Sequence, residues 1–333
     1  MGDPAGVGPE IVVKSLMNKS VYERSNPIVV GDAGVMRKTV NLLQLSCVVN
    51  AVSQVSDARF EYGTIDVLDL TNFKGDLVYG KVSAEAGAAA FESIVKVIEL
   101  AMNNQVDATV TAPINKEAIH IAGKHYSGHT EIYAQYTNTN KYAMLLAHEN
   151  LRIIHVSTHV SLRQACDLAK KERILEVVHL LHDACQLFGI VNPRIGIAGL
   201  NPHSSDNGLF GWEEEREIIP AIIEAQKMGY NVEGPIPADT MFSKAIGGVY
   251  DGCVAMYHDQ GHIPFKVVGF KWNETRNRMD VKGVNITLGL PIIRVSVDHG
   301  TAFDVAGRGI ASEEAMSISI DYAIRMAENS TKK

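Results

Sequence analysis

The sequence lacks several features that would assign it to whole classes of protein. No apolar run is long enough to span a bilayer, and no signal-peptide pattern precedes the first motif. Only four cysteines occur, without close-paired spacing, which predicts free thiols in a reducing compartment: Cys47, Cys166, Cys185 and Cys253. We therefore expect a cytoplasmic protein with no membrane partner.

Basic residues are also scarce relative to acidic ones. Lys and Arg number 31 against 38 Asp and Glu, and no basic cluster offsets the net charge of −7. This balance argues against a nucleic-acid partner. An anionic substrate must then be held by individually placed cations. Internal repeats and low-complexity segments are absent too, and the length of 333 residues predicts about two domains.

The sequence does contain a regular alternation of short β-type runs with helical patterns. Such alternation predicts a predominantly parallel α/β architecture. Residues 81–104 and 161–188 have the periodicity of long helices, whereas residues 271–282 are charged and irregular, which predicts a surface excursion. Residues 2–10 (GDPAGVGPE) form a glycine-rich turn into a helix. Because such a turn normally follows a strand, we expect a short strand before residue 1.

Three β-type runs lead into histidines, at His159, His203 and His258. Ligands of α/β proteins bind outside the carboxyl ends of the strands, so these imidazoles are candidates for one metal site. Three imidazoles leave coordination positions open, as in catalytic sites, and suit zinc, cobalt or manganese better than magnesium. Asp259 is then a candidate to orient His258. The alternative is three unrelated histidines, each hydrogen-bonded in a polar cleft.

A second set of residues offers groups that bind anions. A phosphorylated or carboxylate substrate is held by charge-assisted hydrogen bonds, and we expect these donors at strand ends or in loops. Ordinary surface solvation is the alternative, although Arg294 lies inside an apolar run. Core or helix-edge hydrogen bonding explains His125, His155 and His262 adequately. The candidates for substrate binding are His129, Thr130, Lys266, Asn285 and Arg294.

A third set follows the last predicted strand. Its glycine turn permits close approach of the backbone to a flat ligand, and Asp304 could accept hydrogen bonds from ribose hydroxyls. A carboxylate there would repel a 2′-phosphate, which favours NAD over NADP. A tight turn before the final helix is the structural alternative. The candidates for cofactor binding are His299, Gly300, Thr301, Ala302 and Asp304.

Together the motifs resemble one known family. They are GDPAGVGPE at 2–10, GHTE at 128–131, GLNPH at 199–203, PADT at 237–240, YHDQG at 257–261 and VNITLGLP at 284–291. This combination, spread over almost the whole chain, resembles the 4-hydroxythreonine-4-phosphate dehydrogenases of pyridoxal phosphate (pyridoxine) biosynthesis. Residues 299–311 also resemble the cofactor turn of isopropylmalate and isocitrate dehydrogenases, whose fold that family shares.

The resemblance implies a two-domain α/β fold of the isocitrate/isopropylmalate dehydrogenase type, with mostly parallel sheets and the active site in the interdomain cleft. A cofactor-side domain would comprise residues 1–125 and 290–333, and a metal, substrate and dimerisation domain residues 126–289. It further implies a homodimer with shared active sites. His159, His203 and His258 would hold one divalent metal (Zn, Co, Mn or Mg), and the second and third sets would bind substrate and NAD.

The implied reaction is that of an oxidatively decarboxylating dehydrogenase. A metal lowers the pKa of the substrate's C3 hydroxyl, hydride passes to NAD, and the β-keto acid loses carbon dioxide. The YHDQGHIP form at 257–264 looks more like a second branch of the family, which oxidises 4-phospho-D-threonate or 4-phospho-D-erythronate. The alternative substrate is 4-phosphohydroxy-L-threonine. Asp259, Lys266 and a water relay all remain open as the group that takes the hydroxyl proton.

Rival functions use the same residues differently. A metal-dependent hydrolase or aldolase would need the three histidines but no nicotinamide. A phosphotransacetylase-like acyltransferase would not require the histidines. A non-catalytic metal-binding protein leaves the anion-binding set unexplained.

Overall fold

A computed structural model of the chain describes residues 1–274 and 278–330, which form two compact units. Unit 1 comprises Met1–Asn140 and Leu290–Ile324, and unit 2 comprises Lys141–Gly289 and the chain from Arg325 onward. The predicted boundary lay at residue 125. The structure extends unit 1 further because Ile132 and Tyr133 pack into the same core cluster as Phe91 and Ile119. The last three residues of the predicted span 290–333 lie outside the described residues.

The elements alternate as the sequence predicted, and the α/β class is confirmed. The strands are β1 Val29–Gly31, β2 Val48–Val52, β3 Thr64–Asp69, β4 Ala108–Thr111, β5 Ala143–His148, β6 Leu151–His155, β7 Ile195–Ala198, β8 Val232–Ile236, β9 Gly252–Ala255, β10 Phe270–Asn273, β11 Arg278–Val281, β12 Val284–Leu288 and β13 Ile293–Val297. The helices are α1 Gly8–Leu16, α2 Lys19–Arg24, α3 Ala33–Leu42, α4 Ala84–Met102, α5 Lys116–Ile121, α6 His129–Tyr136, α7 Leu162–Leu168, α8 Lys171–Leu187, α9 Ile219–Lys227, α10 Ala238–Ile246, α11 His258–Gly269 and α12 Glu314–Ser330.

Unit 1 contains a parallel sheet in the order β1-β3-β2 and a parallel pair of β4 with β13. Helix α4 begins at the Ser83 cap, whose hydroxyl accepts from the backbone N–H of Ala86. Its small residues permit close helix packing, as predicted. A side chain at Gly87 would collide with the carbonyl group of Ala118 on α5.

Unit 2 is built on six neighbouring strands in the order β12-β5-β6-β9-β7-β8. The strands β12, β5 and β6 pair antiparallel, whereas β6, β9, β7 and β8 pair parallel. In the middle of the sheet, Val254 of β9 lies in register with Ile154 of β6 and Ile197 of β7. The carboxyl ends of these three strands therefore meet at one edge of the sheet.

Three predicted elements differ from the structure. The run into His258 was predicted as one strand, but β9 ends at Ala255 and His258 is the first residue of α11. The long helix predicted at 161–188 is divided into α7 and α8. Residues 271–282 are not irregular where the structure describes them, since β10 and β11 form an antiparallel ribbon; residues 275–277 lie outside the described part.

Helix α12 is close to the final helix predicted from the sequence. No helix in the ranges 1–274 and 278–330 combines the length and apolar character needed to cross a bilayer.

Candidate functional site

The three candidate metal ligands follow the three neighbouring parallel strands of unit 2. His159 comes four residues after β6 ends, His258 three residues after β9, and His203 five residues after β7. These strand ends share one sheet edge, so the three chain segments that carry the histidines leave the sheet on the same side. Convergence of the three side chains on one metal stays a prediction.

His258 and His159 lie side by side at this edge. Their ring centroids are 6.0 Å apart. The Nδ1 of His258 lies 2.6 Å from the Asp259 carboxylate. With Nδ1–H donating to that carboxylate, Nε2 is left to face a ligand, which is the usual arrangement around a metal-bound imidazole. Asp259 therefore occupies the orienting position predicted for it.

His262 stacks directly on His258, one helical turn further along α11. The two ring centroids are 3.6 Å apart with an angle of 11° between the ring planes. The Nδ1 of His262 lies 3.0 Å from the carbonyl oxygen of His258 and is placed to donate to it. His155 continues the column, with its ring centroid 4.7 Å from that of His262.

Burial keeps the rings of His155 and His262 uncharged at neutral pH. Burial is the main cause that lowers the pKa of His155 to about 3 and that of His262 to about 4, and the neighbouring imidazoles add to both shifts. Core or helix-edge hydrogen bonding was expected for both residues, and the contacts of His262 confirm it. The support that His262 gives to His258 was not predicted. The spacing of four residues on one helix was the signal that could have shown it.

His203 is presented by an unusual backbone. Five consecutive non-glycine residues have left-handed conformations, with φ between 45° and 76°, over the segment His203–Asn207. The left-handed conformation costs roughly 1–2 kcal/mol for an ordinary L-residue, so this segment is strained. The Nδ1 of His203 lies 3.2 Å from the Asp206 carboxylate. We call these five residues the left-handed segment.

The chemistry of the donor set fits a divalent cation. His203 and His258 each have a carboxylate at Nδ1, which leaves Nε2 for a ligand, and His159 adds a third imidazole beside His258. Within the described residues, however, no group of three His, Cys, Asp or Glu side chains is close enough to hold a metal ion. His203 instead lies near Asp206 and Phe210, with a ring-centroid distance of 6.2 Å to the latter. One chain brings together two of the three predicted ligands.

A cavity of about 560 Å³ opens beside His159 and His258. Its walls are the segment from Thr158 to Ala165, which leads into α7, and the segment from Tyr257 to Asp259. A cavity of this size is within the range of small-molecule sites. The two candidate ligands therefore border a space that a small substrate can enter.

In unit 1, the imidazole of His129 lies close to the buried guanidinium of Arg294, and only the guanidinium is charged at neutral pH. The prediction that these residues lie in loops or at strand ends was wrong. His129 and Thr130 begin α6, and Arg294 is inside β13. Burial and the charge of Arg294 hold the pKa of His129 well below its usual value. Its Nε2 is buried without a hydrogen-bond partner among the described residues, so a ligand could satisfy it.

Arg294 is held in place by its neighbours. Only 3% of the residue is exposed, and its guanidinium donates to the hydroxyl of Thr111 at 2.9 Å. The same guanidinium lies 5.6 Å from the ring centroid of Tyr133. Burial lowers its pKa to about 10, so Arg294 remains charged at neutral pH. A fixed buried cation suits the recognition of a phosphate or carboxylate.

The other two predicted substrate residues belong to unit 2. Lys266 lies on α11 eight residues after His258, with its ammonium 5.3 Å from the centroid of the Phe270 ring. Asn285 lies on β12. Its Nδ2 contacts the sulfur of Met144 at 2.8 Å, and its buried Oδ1 has no hydrogen-bond partner in the described chain. That oxygen is a free acceptor for a ligand.

The predicted cofactor residues form an open turn in unit 1. The carbonyl of Thr301 accepts from the backbone N–H of Val7, which fastens the turn to the glycine-rich loop. A side chain at Gly300 would meet no atom within 4 Å, so the backbone is accessible to a flat ligand. Ala302 has a φ of 44°, and the carboxylate-bearing Asp304 is exposed. Partial burial lowers the pKa of His299.

Glu10 also belongs to this region, although no role was predicted for it. Its buried carboxylate accepts from the backbone N–H of Gly307 at 2.6 Å and so fixes the far end of the turn. The signal in the sequence was a carboxylate on the buried face of α1.

Comparison with known proteins identifies the family. Residues 23–323 match the family described as pyridoxal phosphate biosynthetic protein PdxA. The D-threonate 4-phosphate dehydrogenase of Cupriavidus necator is 45% identical over 317 residues, covering 95% of this chain and 92% of its own length.

Solved structures agree. The 4-hydroxythreonine-4-phosphate dehydrogenase of Klebsiella pneumoniae is 44% identical, with a TM-score of 0.84 and 98% of each chain covered. The enzyme of that name from Burkholderia phymatum is 43% identical, also with a TM-score of 0.84, and the match covers 98% of this chain and 96% of that one. The resemblance seen in the motifs is confirmed, and the chain belongs to the PdxA family of 4-hydroxythreonine-4-phosphate dehydrogenases.

Proposed function

We propose that this protein oxidises the C3 hydroxyl of 4-phospho-D-threonate or 4-phospho-D-erythronate, with a divalent metal and NAD, and that the resulting β-keto acid then loses carbon dioxide. The observation that carries this proposal is the placement of His159, His203 and His258 at three neighbouring parallel strand ends of a dehydrogenase-family fold. The name of the Cupriavidus necator relative supports the threonate branch. Oxidation of 4-phosphohydroxy-L-threonine is the second candidate, supported by the names of the solved structures.

The anionic ends of the substrate would be held by the second residue set. Arg294 offers a charged, fixed guanidinium, and His129 offers a neutral imidazole whose Nε2 has no hydrogen-bond partner in the part of the chain that the structure describes. Asn285 adds a buried acceptor for a substrate hydroxyl. Within unit 1, Arg294 is already held in place to receive an anionic group.

The metal would be held through Nε2 of His159, His203 and His258. When bound, a divalent ion supplies Lewis acidity, which lowers the pKa of a hydroxyl and stabilises negative charge on a carbonyl oxygen. Since one chain brings only His159 and His258 together, we propose a homodimer in which the partner subunit completes the donor set. The cytoplasmic location inferred from composition stays a prediction.

The proton of the substrate hydroxyl needs an acceptor. Asp259 already accepts from His258, which assigns its carboxylate to orientation of the imidazole. Lys266 lies on the same helix as His258, so Lys266 or a water relay is the better candidate for proton transfer. The accessible backbone at Gly300 and the exposed Asp304 would receive the NAD ribose, and the carboxylate would disfavour NADP.

A nicotinamide absorbance assay with divalent metal tests the proposal. The three substrates compared are 4-phospho-D-threonate, 4-phospho-D-erythronate and 4-phosphohydroxy-L-threonine, each with NAD and with NADP. We expect NADH formation with a D-acid and its loss in the presence of a chelator or in His203→Ala. Metal-dependent bond cleavage without NADH would instead indicate a hydrolase or aldolase. Acyl transfer that survives His203→Ala would indicate the acyltransferase.

A further inference from the structure

The left-handed segment requires something to hold it, because consecutive non-glycine residues adopt this backbone only when their surroundings enforce it. Nearby packing contributes. A Cβ atom at Gly199 would lie 2.7 Å from the hydroxyl oxygen of Ser204, so only glycine lets the end of β7 approach the segment. The Ser205 hydroxyl donates to the carbonyl of Gly211 and accepts from the N–H of Gly208 at 2.9 Å. These contacts close the segment on itself but do not anchor it to the sheet.

The anchor is Glu214, at the start of a π-helical turn Glu214–Ile218. Only 1% of Glu214 is exposed. One carboxylate oxygen accepts from the backbone N–H groups of Leu200 and Asn201, each at 2.7 Å, and the other accepts from the Asn201 side-chain amide at 2.8 Å. Three short charge-assisted hydrogen bonds on one buried carboxylate form a strong and specific attachment.

These bonds hold the chain at Leu200 and Asn201, two residues before His203. Asn201 passes the constraint on, since its carbonyl accepts from the N–H of Ser204 at 3.2 Å. Its side-chain amide also donates to Glu213 at 2.8 Å, so Asn201 is held from two sides. The covalent path from the residue held by the Glu214 carboxylate to the His203 backbone therefore runs through Asn201 and Pro202 only.

We propose that Glu214 is a positioning residue for His203. It holds the strained backbone that aims the His203 imidazole, and it contacts neither substrate nor metal itself. This inference rests on the proposed function, because it presumes that His203 is a metal ligand. Without the carboxylate, the left-handed segment would relax to a backbone conformation of lower energy, and the His203 imidazole would point in another direction.

The variant Glu214→Gln tests the proposal. The amide offers one acceptor oxygen in place of two, so it cannot satisfy all three donors. We expect the dissociation constant for Zn²⁺, measured by titration calorimetry on the purified protein, to rise about 10- to 100-fold, as for other groups that orient metal ligands. The spectrum of the Co²⁺-loaded protein should change as well. Glu215→Gln is the matched control, because Glu215 is exposed and the variant makes the same change in charge one residue later.

A rescue variant separates positioning from general stability. Ser204→Gly places glycine at a φ of 53° and also removes a buried hydroxyl that has no hydrogen-bond partner in the described ranges 1–274 and 278–330. Added to Glu214→Gln, it should restore most of the Zn²⁺ affinity by relieving the strain. Asn138→Gly, at an exposed residue with a φ of 52°, should not restore it. If Glu214→Gln does not fold, Asn201→Ala keeps the buried carboxylate and should still weaken Zn²⁺ binding several-fold.

His203→Ala keeps this test distinct from that of the proposed function. If His203→Ala binds Zn²⁺ as tightly as the natural protein, the assignment of His203 as a ligand is wrong. If His203→Ala loses Zn²⁺ but folded Glu214→Gln binds it normally, the proposed function stands and the positioning role of Glu214 is overturned. Failure of Ser204→Gly to restore affinity would overturn the strain mechanism.

Discussion

His258 and His203 follow neighbouring strands of one sheet, yet the chain presents them in opposite ways. His258 begins a regular helix, and the ring of His262 supports it from the next turn. His203 begins a left-handed segment of strained backbone attached through Asn201 to a buried carboxylate. Both rings nevertheless have a carboxylate at Nδ1.

The difference shows two ways to aim an imidazole. At His258, ordinary helical geometry sets the direction at no conformational cost, and the stacked ring limits rotation. At His203, the backbone is held against its preference, so side-chain hydrogen bonds must supply the difference. We therefore expect substitutions around His258 to act through packing and substitutions around His203 to act through strain.

The largest difference between the two histidine sites should be seen in Zn²⁺ affinity when the orienting carboxylates, Asp259 and Asp206, are replaced. Asp259→Asn should raise the Zn²⁺ dissociation constant roughly 100-fold, about 2.8 kcal/mol, and Asp206→Asn roughly tenfold. The reason is the shorter contact to His258, 2.6 Å against 3.2 Å at His203. Titration calorimetry with Zn²⁺ on both variants measures the ranking, and equal effects would contradict it.

The second largest effect should be a loss of stability when the packing behind His258 is disturbed. A side chain at Gly261 would collide with Nε2 of His155 and lie 2.8 Å from the Ile153 side chain. Gly261→Ala should therefore lower the free energy of unfolding by about 2 kcal/mol, as overpacking does in other cores. The control is Gly247→Ala, where the nearest atom would be 3.4 Å from the new Cβ. Urea unfolding measures both, and a control as unstable as Gly261→Ala would refute the packing explanation.

The buried rings should make stability depend on pH. The pKa of His155 in the folded protein is lowered to about 3, so the unfolded chain binds its proton first as the pH falls below the ordinary value of about 6.5. Its contribution to stability is complete above that value and is lost progressively as the pH falls toward 3. Between about pH 7.5 and 5.5 the loss is about 1.4 kcal/mol.

His155→Gln tests this pH dependence. The variant should lose about 1.4 kcal/mol less than the natural protein between the same two pH values. Urea unfolding at both pH values measures the difference, and the value at the higher pH gives the packing cost of the substitution alone. An unchanged pH dependence would show that His155 takes up a proton in the folded protein.

The smallest effects are changes in the free energy of unfolding caused by glycine substitutions. These changes should have opposite signs in the left-handed segment and in α11. Ser204→Gly in the otherwise natural protein should raise the free energy of unfolding by about 1 kcal/mol, because glycine adopts a left-handed backbone without penalty. Val267→Gly, at an exposed position of α11, should lower it by about 0.5 kcal/mol. Stabilisation at both positions, measured by urea unfolding, would mean that the segment is not strained.

Much of the site could be predicted because strands and their order leave simple patterns in the sequence. Short β-type runs before His159, His203 and His258 indicated three strand ends, and parallel pairing of β6, β9 and β7 then placed those ends together. Arg294 was identified because a cation inside an apolar run requires a specific role, and its burial agrees.

Other parts of the site could not be predicted from local patterns. The sequence around His203 contains one turn signal, Asn207 followed by Gly208, and nothing in it indicates four preceding left-handed residues. The partners that impose that backbone, Asn201 and Glu214, act through hydrogen bonds across a loop. The tight stacking of His262 likewise depends on the start of α11, which was predicted as the end of a strand.

The sequence by itself determined the α/β class, the family and the types of side chain at the site, because hydrophobic periodicity and motif composition are local properties. Tertiary structure alone decided how those side chains are aimed. The direction of the His203 ring depends on the buried carboxylate of Glu214 and on Gly199, which lets the left-handed segment pack close to the end of β7. The direction of the His258 ring depends on the stacked ring of His262. Each of these is a contact between residues that no periodic pattern connects, and each contributes only after the chain has folded.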